Sequence, residues 1–298
     1  MRVLLADKLP DQARVRLAAG GMEVRAEPGL KGEALTARMR EFDPEVLVVR
    51  STRVTAADLA AAGSLALVVR AGAGVNTIDV SAAASHGVYV SNCPGKNAVA
   101  VAELTLGLIL ALDRSIPDNV TDLRAHTWNK GLYSKADGLR GRTLGILGMG
   151  QIGIEVARLG NAFGMEVLAW SRSLTTESAA LYGVKRYDSP EDVARRSSVL
   201  SVHLALTPET RGFVGESIFA ELKPGALFIN TCRSEVVDDN ALLRALNDRG
   251  IRAGLDVFSD EPAGKNGTFE NLIASHPSVY GTHHIGASTN QAQLAVAD

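Results

Sequence analysis

The chain has only two cysteines in 298 residues, Cys93 and Cys232. Two cannot build the disulfide framework of a small secreted domain, and they supply no metal-ligand cluster. They fit a reducing compartment such as the cytoplasm, and small buried apolar roles. An excess of charge is also lacking. Lysine and arginine number 31 against 33 aspartate and glutamate, a formal net charge of −2. Nothing in that balance draws the chain to nucleic acid or to an anionic membrane surface. Long apolar runs are missing too. Met1 to Asp7 has no signal-type apolar core and reads as a first strand. The most apolar segment, Ala98 to Leu112, is too short to span a bilayer and carries Glu103, so it reads as a buried helix. There is no internal repeat and no low-complexity tract.

What is present is material for a large core, with 46% hydrophobic and 21% charged residues. The length favours two domains over one. The most informative stretch runs from Thr143 to Gly153, where an apolar run leads directly into Gly148-Met149-Gly150-Gln151-Ile152-Gly153. Gly148 permits a sharp turn, Gly150 leaves the backbone open to a phosphate, and Gly153 lets the following helix lie close to the strand. Ile152, Val156, Leu159 and Phe163 then recur as one helical face, and Gly164 ends the helix. The free N–H groups of that helix would face the pyrophosphate of a dinucleotide.

The N-terminal part alternates short apolar runs with helical patterns. Val3–Ala6, Val46–Val49, Leu67–Val69 and Val88–Val90 are the runs, and Asp11–Leu17 and Leu35–Phe42 are among the helices. This predicts a parallel α/β sheet. Polar or glycine-rich residues follow each later strand: Arg50 to Arg53, Arg70 to Gly74, and Ser91 to Gly95. Ligands of such sheets bind beyond the carboxyl ends of the strands, and the arginines suggest an anionic one. Ile116 to Leu139 is polar and irregular, and reads as a segment that reaches a partner subunit or a site.

A second sheet is predicted from Leu144, Val167–Trp170, Val199–His203, Ala226–Asn230, Ala253–Val257 and Val279–Gly281. The residues just past the last three place Arg233, Glu261 and His284 at the same edge as the glycine turn. A histidine that exchanges a proton, a carboxylate that favours its charged form, and an arginine that grips a carboxylate and polarises a carbonyl are what carbonyl reduction beside a nicotinamide requires.

With these pieces together the chain resembles the D-isomer-specific 2-hydroxyacid dehydrogenases along nearly its whole length. Arg70-Ala71-Gly72-Ala73-Gly74-Val75, Asn92 to Asn97, Trp128-Asn129-Lys130, the glycine turn, Asn230 to Arg233, Leu255 to Phe258 with Glu261-Pro262, and His284 to Thr289 carry the resemblance. It implies two doubly wound α/β domains: a flavodoxin-like substrate domain, 1–97 plus 286–298, and a Rossmann cofactor domain, 98–285, with a cleft between them. It implies Arg233, Glu261 and His284 as the catalytic trio. Gly148, Gly150, Gln151, Ile152, Gly153, Ser171, Arg172, Thr207, Thr231, Cys232 and Asp256 would hold the cofactor. Gly72, Ala73 and Gly74 would bind the substrate carboxylate. Arg50, Arg53 and Asn97 look like phosphate contacts, and Lys130 resembles a lysine that reaches the neighbouring site in a homodimer.

The substrate implied is a D-2-hydroxy acid or its 2-keto partner, phosphorylated, with 3-phosphoglycerate in serine biosynthesis first. Glyoxylate or hydroxypyruvate reduction is the nearest alternative, and a nucleotide-sensing corepressor on the same fold is an alternative of another class. Three positions depart from the family. His283 and Ala205 stand where proline is usual. Ser171-Arg172 stands where an NAD site places its acidic residue, about 20 residues past the glycines, which leaves NAD and NADP both open. No metal is implied. After Thr289 only Asn290 to Asp298 remain, so the sequence is expected to stop partway through a helix.

Overall fold

The computed structural model describes residues 1–262 and 266–298. The chain divides into two compact units, Met1–Asn97 with Ala287–Asp298, and Ala98–Gly286.

The first unit is built on β1 (Arg2–Leu5), β2 (Glu23–Ala26), β3 (Val46–Val49), β4 (Leu67–Arg70) and β5 (Tyr89–Asn92), all parallel, in the order β2-β1-β3-β4-β5. This is the flavodoxin-like order, with helices returning the chain between strands. The central strands are short apolar runs because both faces of a parallel sheet are covered. Leu4, Leu47, Val49 and Val68 are buried there with Leu35 and Met39 of the helix Glu33–Phe42. β2 has no apolar run to announce it. Its residues are Glu-Val-Arg-Ala and three of the four are exposed, as suits an edge strand. The helix Asn290–Ala297 belongs to this unit and is capped by the Thr289 hydroxyl.

The second unit carries β6 (Thr143–Leu147), β7 (Glu166–Trp170), β8 (Lys185–Arg186), β9 (Val199–Val202), β10 (Leu227–Asn230), β11 (Arg252–Leu255) and β12 (Val279–Gly281). They form one parallel sheet in the order β12-β11-β10-β9-β6-β7-β8. The order reverses between β6 and β9, which is the switch point where ligands of such sheets bind. β9 and β10 are buried throughout, packed on one face with Phe219 and Leu222, and on the other face β10 lies against the long helix Ala98–Arg114. Gly254 of β11 admits that helix: a Cβ there would sit 3.0 Å from Leu108 Cβ.

The structure corrects two sequence-based expectations. Ile116 to Leu139 is not irregular throughout. It contains the helices Ile116–Arg124 and Lys130–Tyr133, which were hidden because the first buries no residue and so shows no core-type pattern. In the helix Gln151–Ala162 the buried face is Gly153, Val156, Ala157 and Gly160, while Phe163 lies just past its end and is 42% exposed. The face is turned by the glycines. A Cβ on Gly160 would come within 2.7 Å of Leu144 Cδ2, so the helix lies closer to β6 than larger residues allow.

Candidate active site

Register alone collects the site of the second unit. Leu147 pairs with both Trp170 and Val202, Val202 with Asn230, Asn230 with Leu255, and Leu255 with Gly281. Gly148, Ser171, His203, Thr231, Asp256 and Thr282 therefore leave one edge of the sheet in a row.

At the switch point Gly148 has φ +104°, a conformation that favours glycine, and a Cβ there would lie 2.6 Å from the His203 carbonyl oxygen. Its N–H donates to the Trp170 carbonyl at 2.9 Å, which ties the turn to β7. A Cβ on Gly153 would strike the Gly148 carbonyl oxygen, whereas one on Gly150 would meet nothing within 4 Å. Gly148 and Gly153 are thus glycine for packing, and Gly150 leaves open space in front of the helix N-terminus. No side chain caps that terminus, so the first amides, those of Gln151 and Ile152 among them, remain for a ligand. These features fit a dinucleotide phosphate.

Ser171 is half-buried and Arg172 exposed at the end of β7, beside Trp170, whose ring stacks on Phe213 at 5.2 Å. Thr207 opens a tight turn in which its N–H donates to Thr210 Oγ1 at 2.8 Å. Thr231 and Cys232 are buried, and their side chains are engaged within the protein. Thr231 Oγ1 pairs with Thr105 Oγ1 at 3.0 Å, and Cys232 Sγ donates to Asn230 Oδ1 at 3.1 Å. Burial pushes the Cys232 thiol up to about 11, so it is not a nucleophile. The Cys232 amide is taken as well, donating to Asn230 Oδ1 at 3.0 Å.

Arg233, Glu261 and His284 converge. His284 Nδ1 and Glu261 Oε2 are 2.8 Å apart. The Glu261 bond holds the His284 imidazole above the usual histidine range, burial works against this, and the charges of Glu261 and Asp256 outweigh that of Arg233. On Glu261, partial burial pulls upward but is overcome by the His284 bond and by the Phe258 amide, which donates to Oε1 at 2.9 Å; the carboxyl ends below its ordinary value. Arg233 Nη1 donates to its neighbour's carbonyl, Cys232 O, at 2.6 Å, and its charge acts on both members of the pair. With Nδ1 turned to the carboxylate, Nε2 is left to exchange a proton. His284 has φ +52°, a left-handed conformation uncommon for a residue with a Cβ. Asp256 over-determines it. This buried carboxylate accepts from Thr282 Oγ1 at 2.6 Å and from the amides of Ile285 and Gly286 at 2.8 Å each, on both sides of His284. Sequence reasoning gave Asp256 to the cofactor, and the structure shows it bracing the histidine loop. His283 and Ala205 are exposed, where a missing proline ring disturbs no packing.

In the first unit the predicted substrate residues share the rim at the ends of β3, β4 and β5. Arg50 and Arg53 lie on the loop after β3. The Gly72–Gly74 loop is held by Cys93, whose N–H donates to Gly72 O at 3.0 Å, and by Asn92 Nδ2, which donates to Ala73 O at 2.5 Å. Asn97 Oδ1 is buried with no partner among the described residues. Lys130 stands exposed in the second unit on the helix Lys130–Tyr133.

Two strand-end residues escaped the sequence reading. Asp7, just past β1, accepts from the amides of Arg50, Ser51 and Thr52 at 2.7, 3.0 and 2.9 Å. Burial pulls its carboxyl up, yet these amides hold it below its ordinary value. His203, just past β9, is buried, and burial drives its imidazole down to about 3, so it is neutral. The strand-end rule that found Arg233 would have found both.

The chain belongs to the D-isomer specific 2-hydroxyacid dehydrogenases, since residues 106–286 match the NAD binding domain of that family. It is 37% identical over 297 residues to the D-3-phosphoglycerate dehydrogenase of Methanocaldococcus jannaschii, covering 99% of this chain and 55% of that protein. It is 40% identical to that of Mycobacterium bovis, covering 98% and 54%. The chain thus spans about half the length of the curated relatives it matches. Among solved structures, the NAD+-bound 3-phosphoglycerate dehydrogenase of Entamoeba histolytica superposes with a TM-score of 0.81 at 26% identity, over 100% of this chain and 91% of that one. Among the described residues no helix is long and apolar enough to cross a membrane.

Proposed function

We propose that this chain carries the hydride-transfer activity of an NAD(P)-dependent dehydrogenase acting on a D-2-hydroxy acid, with 3-phosphoglycerate as the substrate. The observation that supports it most is the 2.8 Å His284–Glu261 pair, with Arg233 acting on both, on the sheet edge that also carries the open glycine turn. The bound nicotinamide supplies or accepts the hydride. In the oxidation direction neutral His284 takes the hydroxyl proton at Nε2, and Glu261 stabilises the imidazolium that forms. In reduction the same atom returns the proton. Arg233 grips the substrate carboxylate and polarises the carbonyl as charge develops on its oxygen. From the first unit, the Gly72–Gly74 amides are assigned to the carboxylate, and Arg50, Arg53 and Asn97 to a phosphate. The buried Asn97 Oδ1, without a partner among the described residues, supports a ligand contact there.

The gap left by Ser171 removes the repulsion that excludes a 2′-phosphate, and Arg172 offers one a partner. The partner of this chain is a second copy of itself. The helix Ile116–Arg124 buries none of its own residues and turns Ile116, Val120 and Leu123 outward together, and Trp128 beyond it is 81% exposed. Two free cysteines fit a cytoplasmic setting. Steady-state rates with 3-phosphoglycerate, glyoxylate and hydroxypyruvate, each with NAD(H) and NADP(H), test the reading. The expected result is the highest kcat/KM for 3-phosphoglycerate or its keto form, with a lower KM than any unphosphorylated acid. Preference for glyoxylate would move the assignment to a glyoxylate reductase.

A further inference from the structure

Glu261 reaches His284 from the exposed end of the loop after β11. Beneath it a cavity of about 10 Å³, room for one water at most, is lined by Asn230, Ser234, Leu242 and Val257 together with Asp239 and Ser259. Hydrogen bonds hold this end of the loop. Ser259, two residues before Glu261, is held from both sides. Its hydroxyl donates to the Asp239 carboxylate, and its carbonyl accepts from Asn271 Nδ2 at 3.3 Å. Asn271 is itself anchored, its Oδ1 accepting the amides of Ile273 and Ala274 at 3.0 Å each. Between Ser259 and Glu261, Asp260 has φ +60°, the left-handed conformation that few residues other than glycine, asparagine and aspartate adopt.

Asp239 is the first residue of the helix Asp239–Arg249, but it is not the cap. Asp238 fills that role by accepting from the amides of Asn240 and Ala241. The Asp239 carboxylate is therefore free to serve the loop. It also stands on the same short segment as Arg233, joined to it through Ser234–Val236. The Ser259–Asp239 bond thus links the backbone that carries Arg233 to the backbone that carries Glu261.

We propose that Asp239 and Ser259 are positioning residues: their hydrogen bond fixes the loop that presents Glu261 to His284 and locks it to the segment bearing Arg233. This rests on the reading of His284 as the proton carrier. Among the described residues the charged groups that act on the His284 imidazole are Glu261, Asp256 and Arg233. Ser259 carries no charge, so a change there alters the titration of His284 only by displacing one of these, and the loop it belongs to carries Glu261.

The test follows the His284 imidazole by NMR against pH in the full chain, its signals assigned by their loss in His284→Ala, alongside kcat for hydroxypyruvate reduction by NADH. In Ser259→Ala the His284 pKa is expected to fall toward 6.5, the ordinary histidine value. The kcat should fall about tenfold, a fraction of the 10²- to 10⁴-fold that a positioned acid–base group contributes. The Kd for NADH should not change. Ser259→Thr keeps the hydroxyl and should behave as the parent. Asp239→Ala should match Ser259→Ala, Asp239→Asn should keep an acceptor and most of the activity, and the double variant should be no worse than either single one. Should Ser259→Ala fail to fold, Asp239→Ala against Asp239→Asn carries the same comparison. A His284 titration and kcat unchanged in Ser259→Ala, or losses that simply add in the double variant, would overturn the proposal. A His284 that titrates at 6.5 in the parent protein instead overturns the Glu261–His284 pairing itself.

Discussion

In the first unit the carboxylate of Asp7 gathers the backbone amides of Arg50, Ser51 and Thr52; in the second, Asp256 gathers those of Ile285 and Gly286 with the Thr282 hydroxyl. The device is the same. A carboxylate one or two residues past a parallel strand organises the loop beyond a neighbouring strand. The setting differs. Asp7 is half-exposed, and water can take over its partners when it is lost. Asp256 is 1% exposed, and its partners would be stranded. The loop it holds also contains a left-handed histidine, which would relax if released. The topology supplies equivalent edges, and the burial of the brace sets how rigid each edge is. The rigid edge carries the groups that must meet within hydrogen-bond distance. The looser one carries residues assigned to grip an anion, where long arginine side chains tolerate some latitude.

Breaking the two braces should separate them. Asp256→Asn puts an NH2 group where an amide or hydroxyl now donates, and each orphaned buried donor costs about 1–3 kcal/mol. A fall in Tm with kcat reduced at least a hundredfold is expected, read by calorimetry and steady-state rates. A variant with parental kcat would remove Asp256 as the brace of His284. Asp7→Asn should be milder: a KM for 3-phosphoglycerate raised about tenfold, or ~1.4 kcal/mol, with the KM for glyoxylate unchanged. Equal changes for both acids would detach Asp7 from phosphate binding.

The same edge sharpens the contrast with two histidines. His203 is depressed, so its neutral form is favoured by folding. Its contribution is intact above 6.5 and is lost as pH falls from 6.5 toward about 3, at about 1.4 kcal/mol per pH unit. His284 is raised, so its smaller, half-exposed contribution is present below 6.5 and is lost as pH rises through its folded value. His203→Gln, which can keep a bond to the Ser201 hydroxyl, should flatten the acid side of the stability curve. Denaturant midpoints between pH 4 and 7 that match the parent would show that His203 does not govern it. The smallest effect is expected at Arg172→Ala, a severalfold weaker Kd for NADPH with that for NADH nearly unchanged, measured by fluorescence titration. Equal losses would mean that Arg172 lies over the adenine instead.

Much of this was readable in the chain. The glycine turn, the central strands and the trio past β10, β11 and β12 follow from apolar runs and parallel topology, because buried strands must be apolar and their ends must converge. What was not readable has physical reasons. β2 and the helix Ile116–Arg124 bury too little to leave a pattern. The turned face of Gln151–Ala162 depends on how near two glycines let it come to β6, which spacing alone does not give. Asp239 and Ser259 act through a hydrogen bond that spans 20 positions of the chain, and no local signal marks them. The bracing role of Asp256 was hidden as well, because its partners lie 26 to 30 residues further on.

The central claim is that His284 moves the proton while the glycine turn holds the cofactor. It is tested most directly by His284→Ala, measured for 3-phosphoglycerate turnover and for NADH affinity in the same preparation. The account predicts turnover reduced by about 10³-fold or more with the Kd for NADH within about twofold of the parent, since the turn and the strand ends around it are untouched. Turnover within about tenfold of the parent would contradict it.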